Sequence, residues 1–169
     1  MLVTNLVSLH AASRLQSISR KSVCRLRWGS KLFKEKTALV TGSTSGIGRG
    51  IAEQLAAQGA NIILNGFGDA AQIEALGSKI AADFGVTVRY DGADLSRQDQ
   101  IEAMMARALS EFGCIDILVN NAGVQFVAAI DEFPVDTWKT ILAVNLSASF
   151  HTVRLALPAM KSQGLGTHH

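Results

Sequence analysis

From Lys36 onward, short continuous apolar runs alternate with longer stretches in which apolar residues return every three or four positions. Thr37-Ala38-Leu39-Val40 has the length and continuity of a buried strand, and the stretch after it spaces Ile51, Leu55 and Ala56 as one helical face, ending at Gly59 as a C-terminal cap. Asn61-Ile62-Ile63-Leu64 reads as a second strand, and Ala70 to Phe84 as a helix with Ile73, Leu76 and Ile80 inward and Gly85 as its stop. Val86 to Tyr90 reads as a third strand. Ser96 then caps a helix carrying Ile101, Met104, Met105 and Leu109, which Gly113 ends. Ile115 to Val119 is a fourth strand. The last helical stretch begins near Pro134, a residue suited to a first helical turn, and runs through Trp138, Ile141, Val144, Phe150, Val153 and Leu157. Strands alternating with helices predict βαβ units, right-handed crossovers and a parallel sheet covered on both faces. The fold class is therefore α/β, doubly wound, with four strands in the order 3-2-1-4.

That order places a crevice between the first and fourth strands, where strand order reverses and ligands of such sheets sit. Thr41-Gly42-Ser43-Thr44-Ser45-Gly46-Ile47-Gly48 follows the first strand and opens the first helix. A diphosphate needs close backbone approach, free N–H groups and the positive end of a helix dipole; side chains on the loop would obstruct it. In this context the glycines predict a Rossmann-type dinucleotide loop, the alternative being a tight turn with no ligand. A 2′-phosphate would need a cation near the end of the second strand or just ahead of the second glycine. Ser45 stands in the latter place, Asn65-Gly66-Phe67-Gly68 offers none, and Arg49 lies past the last glycine, on the helix. NAD is thus favoured over NADP. No acidic residue stands at the tip of that second strand to hold the ribose hydroxyls, Asp69 coming later.

The pair Thr41-Gly42-x-x-x-Gly46-Ile47-Gly48 and Asn120-Asn121-Ala122-Gly123 resembles the double signature of the short-chain dehydrogenase/reductase family, over Lys36 to about Gly166. Within it, Gly42–Gly46, Leu64–Gly68, Ala93–Ser96, Asn145–Ala148 and Arg154–Pro158 look like the NAD-dependent (R)-3-hydroxybutyrate dehydrogenases. The resemblance implies that Gly42, Thr44, Gly46, Ile47 and Gly48, with Ser45 among them, cradle the diphosphate. Phe67 would lie by the adenosine ribose, Asp94 and Leu95 by the adenine, and Asn121, Ala122 and Gly123 along the nicotinamide ribose. Asn145 would serve catalysis by holding a water of a proton relay, and Gln125 would meet a substrate carboxylate. Phe126 stands where members of that group carry His. Three plainer readings stay open: Asn120 and Asn121 as ties within the sheet, Asn145 as a helix residue with a satisfied amide, and Gln125 as a solvated loop residue. A relative of 3-oxoacyl-carrier-protein reductases is the competing enzyme reading, although those often carry Arg where Ser45 stands.

The family's chemistry uses a serine to polarise the carbonyl, a tyrosine to exchange the hydroxyl proton, and a lysine four residues beyond it. This chain has one tyrosine, Tyr90, with Asp94 four residues on. The catalytic pair is absent, so the resemblance implies either an inactive, C-terminally shortened enzyme or a non-catalytic module that binds NAD or a partner. Residues 35–166 form the expected partial NAD-binding domain and Thr167-His168-His169 a divergent tail. A small hydroxy acid is the expected substrate only of a full-length relative. With later strands missing, the fourth strand is expected to be an open apolar edge and residues 134–160 to present an uncovered face suited to oligomer contacts.

Charge adds one feature. Seven of the sixteen Lys and Arg precede Glu35, where no acidic residue occurs; the rest of the chain has nine against all fourteen acids. Residues 1–34, basic and rich in serine with interspersed leucines, have the composition of a mitochondrial transit peptide, with a disordered leader and a cytoplasmic location as the alternative. Nothing accompanies the charge to suggest nucleic-acid binding. No apolar run is expected to cross a bilayer. Cys24 and Cys114 suggest neither a disulfide nor a zinc site, and His10, His151, His168 and His169 show no ligand spacing.

Overall fold

The computed structural model describes residues 5–7 and 31–164. The leader reading, apart from those first and last few residues of it, lies outside the described residues, as do Cys24 and the divergent tail.

In chain order the elements are β1 (Asn5–Val7), β2 (Thr37–Val40), α1 (Gly46–Ala57), β3 (Asn61–Asn65), α2 (Ala70–Phe84), β4 (Val88–Asp91), α3 (Gln98–Phe112), β5 (Ile117–Asn120), α4 (Val135–Leu142), a π-helical turn (Ala143–Ser147) and α5 (Ala148–Gly164). The sheet runs β1-β5-β2-β3-β4. Strands β2 to β5 are parallel and reproduce the expected 3-2-1-4 order, with Val40 beside both Leu64 and Val119. Side chains alternate across the sheet, so each strand feeds two cores. Ala38, Val40, Ile62, Leu64 and Val119 meet α1 and α2, while Leu39, Ile63 and Leu118 meet α3 and α5. At the far end from the site, Asp116 accepts from Lys36 Nζ (2.7 Å) and the Thr37 N–H (2.9 Å), joining β2 to the chain before β5.

Three expectations are corrected and a fourth is refined. The fourth predicted strand is not an open edge: Asn5–Val7 pairs antiparallel with it, Leu6 opposite Val119. An unpaired ladder of N–H and C=O groups is a template for any extended segment, and this chain supplies one. Ser96 does not cap α3. Its N–H and hydroxyl both donate to Asp94 Oδ1, at 2.9 and 2.8 Å, and Arg97 holds the cap position instead. The last helix runs on as expected but is not α-helical throughout, because a π turn inserts an extra residue between α4 and α5. By length and composition, Val135–Gln163 is also long and apolar enough to cross a membrane, an 18-residue window within it having mean hydropathy 1.2. In the fold, its Ala148, Thr152, Ala156 and Met160 form a buried stripe at helical spacing, and α5 lies against α3 and the sheet.

Candidate functional site

Beyond the C-terminal ends of β2 and β5, the chain makes two loops that are bonded to each other. The Thr41 N–H donates to the Val119 carbonyl (2.9 Å), continuing the ladder past the strand. Its hydroxyl oxygen accepts from the N–H groups of Asn121 (2.9 Å) and Ala122 (3.0 Å). Asn121 Nδ2 donates back to the carbonyls of Thr41 (3.0 Å) and Gly42 (3.1 Å). The Asn121 side chain is therefore a tie between the loops, as one of its two readings held, and its backbone lines the cleft between them.

The first loop runs into α1 with nothing at the helix start. Ser45 holds the cap position in extended conformation, its side chain makes no capping bond, and no acidic residue follows in the first turn. The first N–H groups of a helix lack partners inside it and carry the positive end of its dipole, so this terminus suits an anion. The glycines keep it accessible. At Gly48 a Cβ would lie 2.2 Å from the Gly42 carbonyl oxygen and 2.4 Å from Asn121 Nδ2, so only glycine lets the helix sit this close to the loop. Gly46 has φ +56° and open space within 4 Å of the position a Cβ would take.

A cleft of about 290 Å³ lies in front of these loops. Gly42, Thr44, Ser45, Phe67, Asp94, Leu95, Asn121, Ala122 and Gly123 line it, together with Asn65, Gly66, Ala93, Val124 and Val144. Gly46, Ile47 and Gly48 stand outside that lining, at the α1 start. Gln125 is exposed on the loop beyond Gly123 and is not brought into the cleft. Asn145 stands in the π turn, and both amide atoms are engaged: Oδ1 accepts from the Val124 N–H and Nδ2 donates to the Val124 carbonyl, each at 2.9 Å. Its side chain braces the second loop.

The far end of the cleft rests on a buried polar layer that hydrophobic periodicity does not reveal. Ser43 Oγ donates to the Val40 carbonyl (2.6 Å) and accepts from the Asn65 N–H (3.1 Å). Asn65 Nδ2 donates to the carbonyls of Asp91 and Ala93, both at 3.0 Å. The Asp94 N–H donates to Gln100 Oε1 at 2.8 Å. Asp69, the late acid, caps α2 by accepting from the Gln72 N–H (3.0 Å). Asn65, Gln100 and Tyr90, which bonds Gly66, escaped the sequence reading. The one available signal was a polar residue inside an otherwise apolar strand, as at Asn65.

The short chain dehydrogenase family model matches residues 36–167, which contain both loops and all the lining residues. The chain belongs to the short-chain dehydrogenase family. It is 61% identical over 136 residues to a D-beta-hydroxybutyrate dehydrogenase of Cupriavidus necator, covering 80% of this chain and 52% of that protein. A D-beta-hydroxybutyrate dehydrogenase of Rhizobium meliloti is 53% identical over 131 residues, 78% of this chain and 51% of its own. Among solved structures, a metagenomic short-chain oxidoreductase in complex with NADP superposes with a TM-score of 0.72 at 34% identity, over 78% of this chain and 59% of that one. This short-chain dehydrogenase chain spans about half the length of the curated relatives it matches.

Proposed function

We propose that the chain is the nucleotide-binding part of an oxidoreductase that interconverts 3-hydroxybutyrate and acetoacetate with NAD. The observation that carries the reading is the uncapped start of α1, glycine-lined and open at Gly46, facing the crevice where strand order reverses. The residues present fit a dinucleotide: backbone N–H groups from Gly46 to Gly48 for the diphosphate, Phe67 for the adenosine ribose, Asp94 and Leu95 for the adenine, and Asn121 to Gly123 for the nicotinamide ribose. Bound there, the cofactor would supply hydride transfer.

Support for NAD over NADP comes from charge. Ser45 and Gly66–Gly68 bring no cation to the ribose end, and the Arg49 guanidinium pairs with Glu53 Oε1 (2.8 Å) one turn along α1. The metagenomic neighbour's NADP favours the opposite assignment, so the order of affinities is the discriminating measurement. The substrate assignment is supported by the two hydroxybutyrate dehydrogenase relatives, with Gln125 as a carboxylate contact and Asn145 as a relay member. The tyrosine this chain carries, Tyr90, stands on β4, and no Tyr-x-x-x-Lys occurs in its 169 residues. Proton exchange with the substrate hydroxyl therefore needs residues this chain does not supply.

Titration of the purified chain with NADH and NADPH, followed by cofactor fluorescence, tests the reading. Saturable binding, tighter for NADH, with no oxidation of 3-hydroxybutyrate, is expected. Tighter NADPH binding overturns the NAD assignment; no binding of either overturns the nucleotide site. Mitochondrial targeting by residues 1–34 is proposed on composition, and a tagged chain that stays in the cytosol overturns it.

A further inference from the structure

We propose that Tyr90 is a positioning residue for the adenosine half of the nucleotide, holding in place the Gly66–Phe67 peptide against which the ribose would lie. The inference rests on the nucleotide reading above and adds a residue from an adjacent strand that does not line the cleft. The Tyr90 hydroxyl donates to the Gly66 carbonyl at 2.8 Å. The Thr44 hydroxyl donates to the next carbonyl, that of Phe67, also at 2.8 Å. Two consecutive peptide groups are thus gripped by two hydroxyls, one from the diphosphate loop and one from β4.

The segment needs such a grip. Gly66 and Gly68, at φ +149° and +155°, flank Phe67, and glycine-flanked backbone has many accessible conformations unless something removes them. Phe67 is 69% exposed, so burial does not fix it. The surroundings are shaped to the two hydroxyls. A Cβ on Gly66 would lie 2.7 Å from Thr44 Oγ1. A Cβ on Gly92, just past β4, would lie 2.9 Å from the Tyr90 hydroxyl oxygen and 3.4 Å from Cζ, so glycine there leaves the phenol its place. Tyr90 itself is 45% exposed, and its ring belongs to neither core cluster. What Tyr90 contributes is mainly its hydrogen bond. A pre-formed loop binds more tightly because ordering it costs nothing at the moment of binding.

Tyr90→Phe, which keeps the ring, and Gly92→Ala, which displaces it, test the proposal from two sides. NADH is titrated by fluorescence, and AMP and nicotinamide mononucleotide separately by NMR. Loss of one such hydrogen bond is expected to weaken NADH and AMP by the same factor, about 3- to 10-fold, and to leave nicotinamide mononucleotide unchanged. Gly92→Ala is expected to reproduce the loss, with no further loss in the double variant. The melting temperature without ligand should stay at the wild-type value. Wild-type AMP affinity in Tyr90→Phe overturns the positioning role while leaving the nucleotide site intact, and equal weakening of both fragments overturns it in favour of a general structural effect. Failure of the unaltered chain to bind NADH removes the nucleotide reading and this inference together.

Discussion

Helices α2 and α4 both carry apolar residues at helical spacing, yet they end in opposite surroundings. In α2, Ile73, Leu76 and Ile80 are buried against the sheet. In α4 no residue is buried: Val135, Trp138 and Leu142 are exposed, and the same side continues through Leu146 and Phe150. Periodicity states which residues share a face and that the face avoids water. It does not state what covers that face. For α2 the cover is β3 and β4, its neighbours in sequence; for α4, among the described residues, Phe133 meets Trp138 edge-on and no strand covers the face.

The strongest way to break this comparison is to truncate one side chain in each helix. Ile80→Ala leaves a hole in a packed core and is expected to cost about 2–5 kcal/mol in urea unfolding. Trp138→Ala, although it removes a larger side chain, is expected to change stability by no more than about 0.5 kcal/mol. Comparable losses would mean that α4 is covered after all. An intermediate effect should come from Asp116, which serves neither helix but accepts from Lys36 and the Thr37 N–H. Asp116→Ala leaves that N–H without its partner and is expected to cost about 1–3 kcal/mol, read from the same urea curves.

The same contrast explains what was legible from sequence. The βαβ units could be read because each strand packs on the helix beside it in the chain, so local period and tertiary burial agree. The diphosphate loop could be read because its chemistry is backbone and glycine over a few consecutive positions, from Gly42 to Gly48. Ser96 was misread because capping competes with a local turn, and Asp94 took its hydroxyl. The π turn left no mark, since apolar spacing runs through Ala143–Ser147 without a break. Asn65 and Tyr90 act on backbone groups 24 to 28 positions away, contacts that exist only once the sheet is assembled, and Gln100 reaches back six residues across the turn before α3. The strand at Asn5–Val7 was hidden in the same way: an edge accepts an extended segment through its backbone, with little demand on side chains.

A smaller effect concerns association. The exposed row of Trp138, Leu142, Leu146 and Phe150 should bring chains together as concentration rises. Light scattering is expected to fall for Phe150→Glu, with the melting temperature unchanged. A charged substitution at Ile80 would instead unfold the domain and raise scattering. If Phe150→Glu scatters like the unaltered chain, the α4–α5 face is not where the chains meet.

Cys114 offers the finest probe, because it is 3% exposed within the cluster under α3 and α5 and does not touch α4. Burial, reinforced by the charge of Asp116, pushes its thiol above the ordinary value of 9.0. The folded chain therefore keeps this proton to higher pH than the unfolded chain does. Below about pH 9 both states hold it and the thiol adds no pH dependence; above that the unfolded state sheds it first, so stability falls as pH rises. Urea titrations should show that fall, and Cys114→Ala should flatten part of it. In a Cys24→Ser background, disulfide-reagent labelling at pH 8 should be slow while the chain is folded. Ile80→Ala should accelerate it, because a weakened core lets the whole domain open more often. Trp138→Ala should leave the rate where it was, since a face with no buried residue takes little part in holding the core closed. An accelerated rate in Trp138→Ala would show that α4 shares in the cooperative core and would remove the contrast between the two helices.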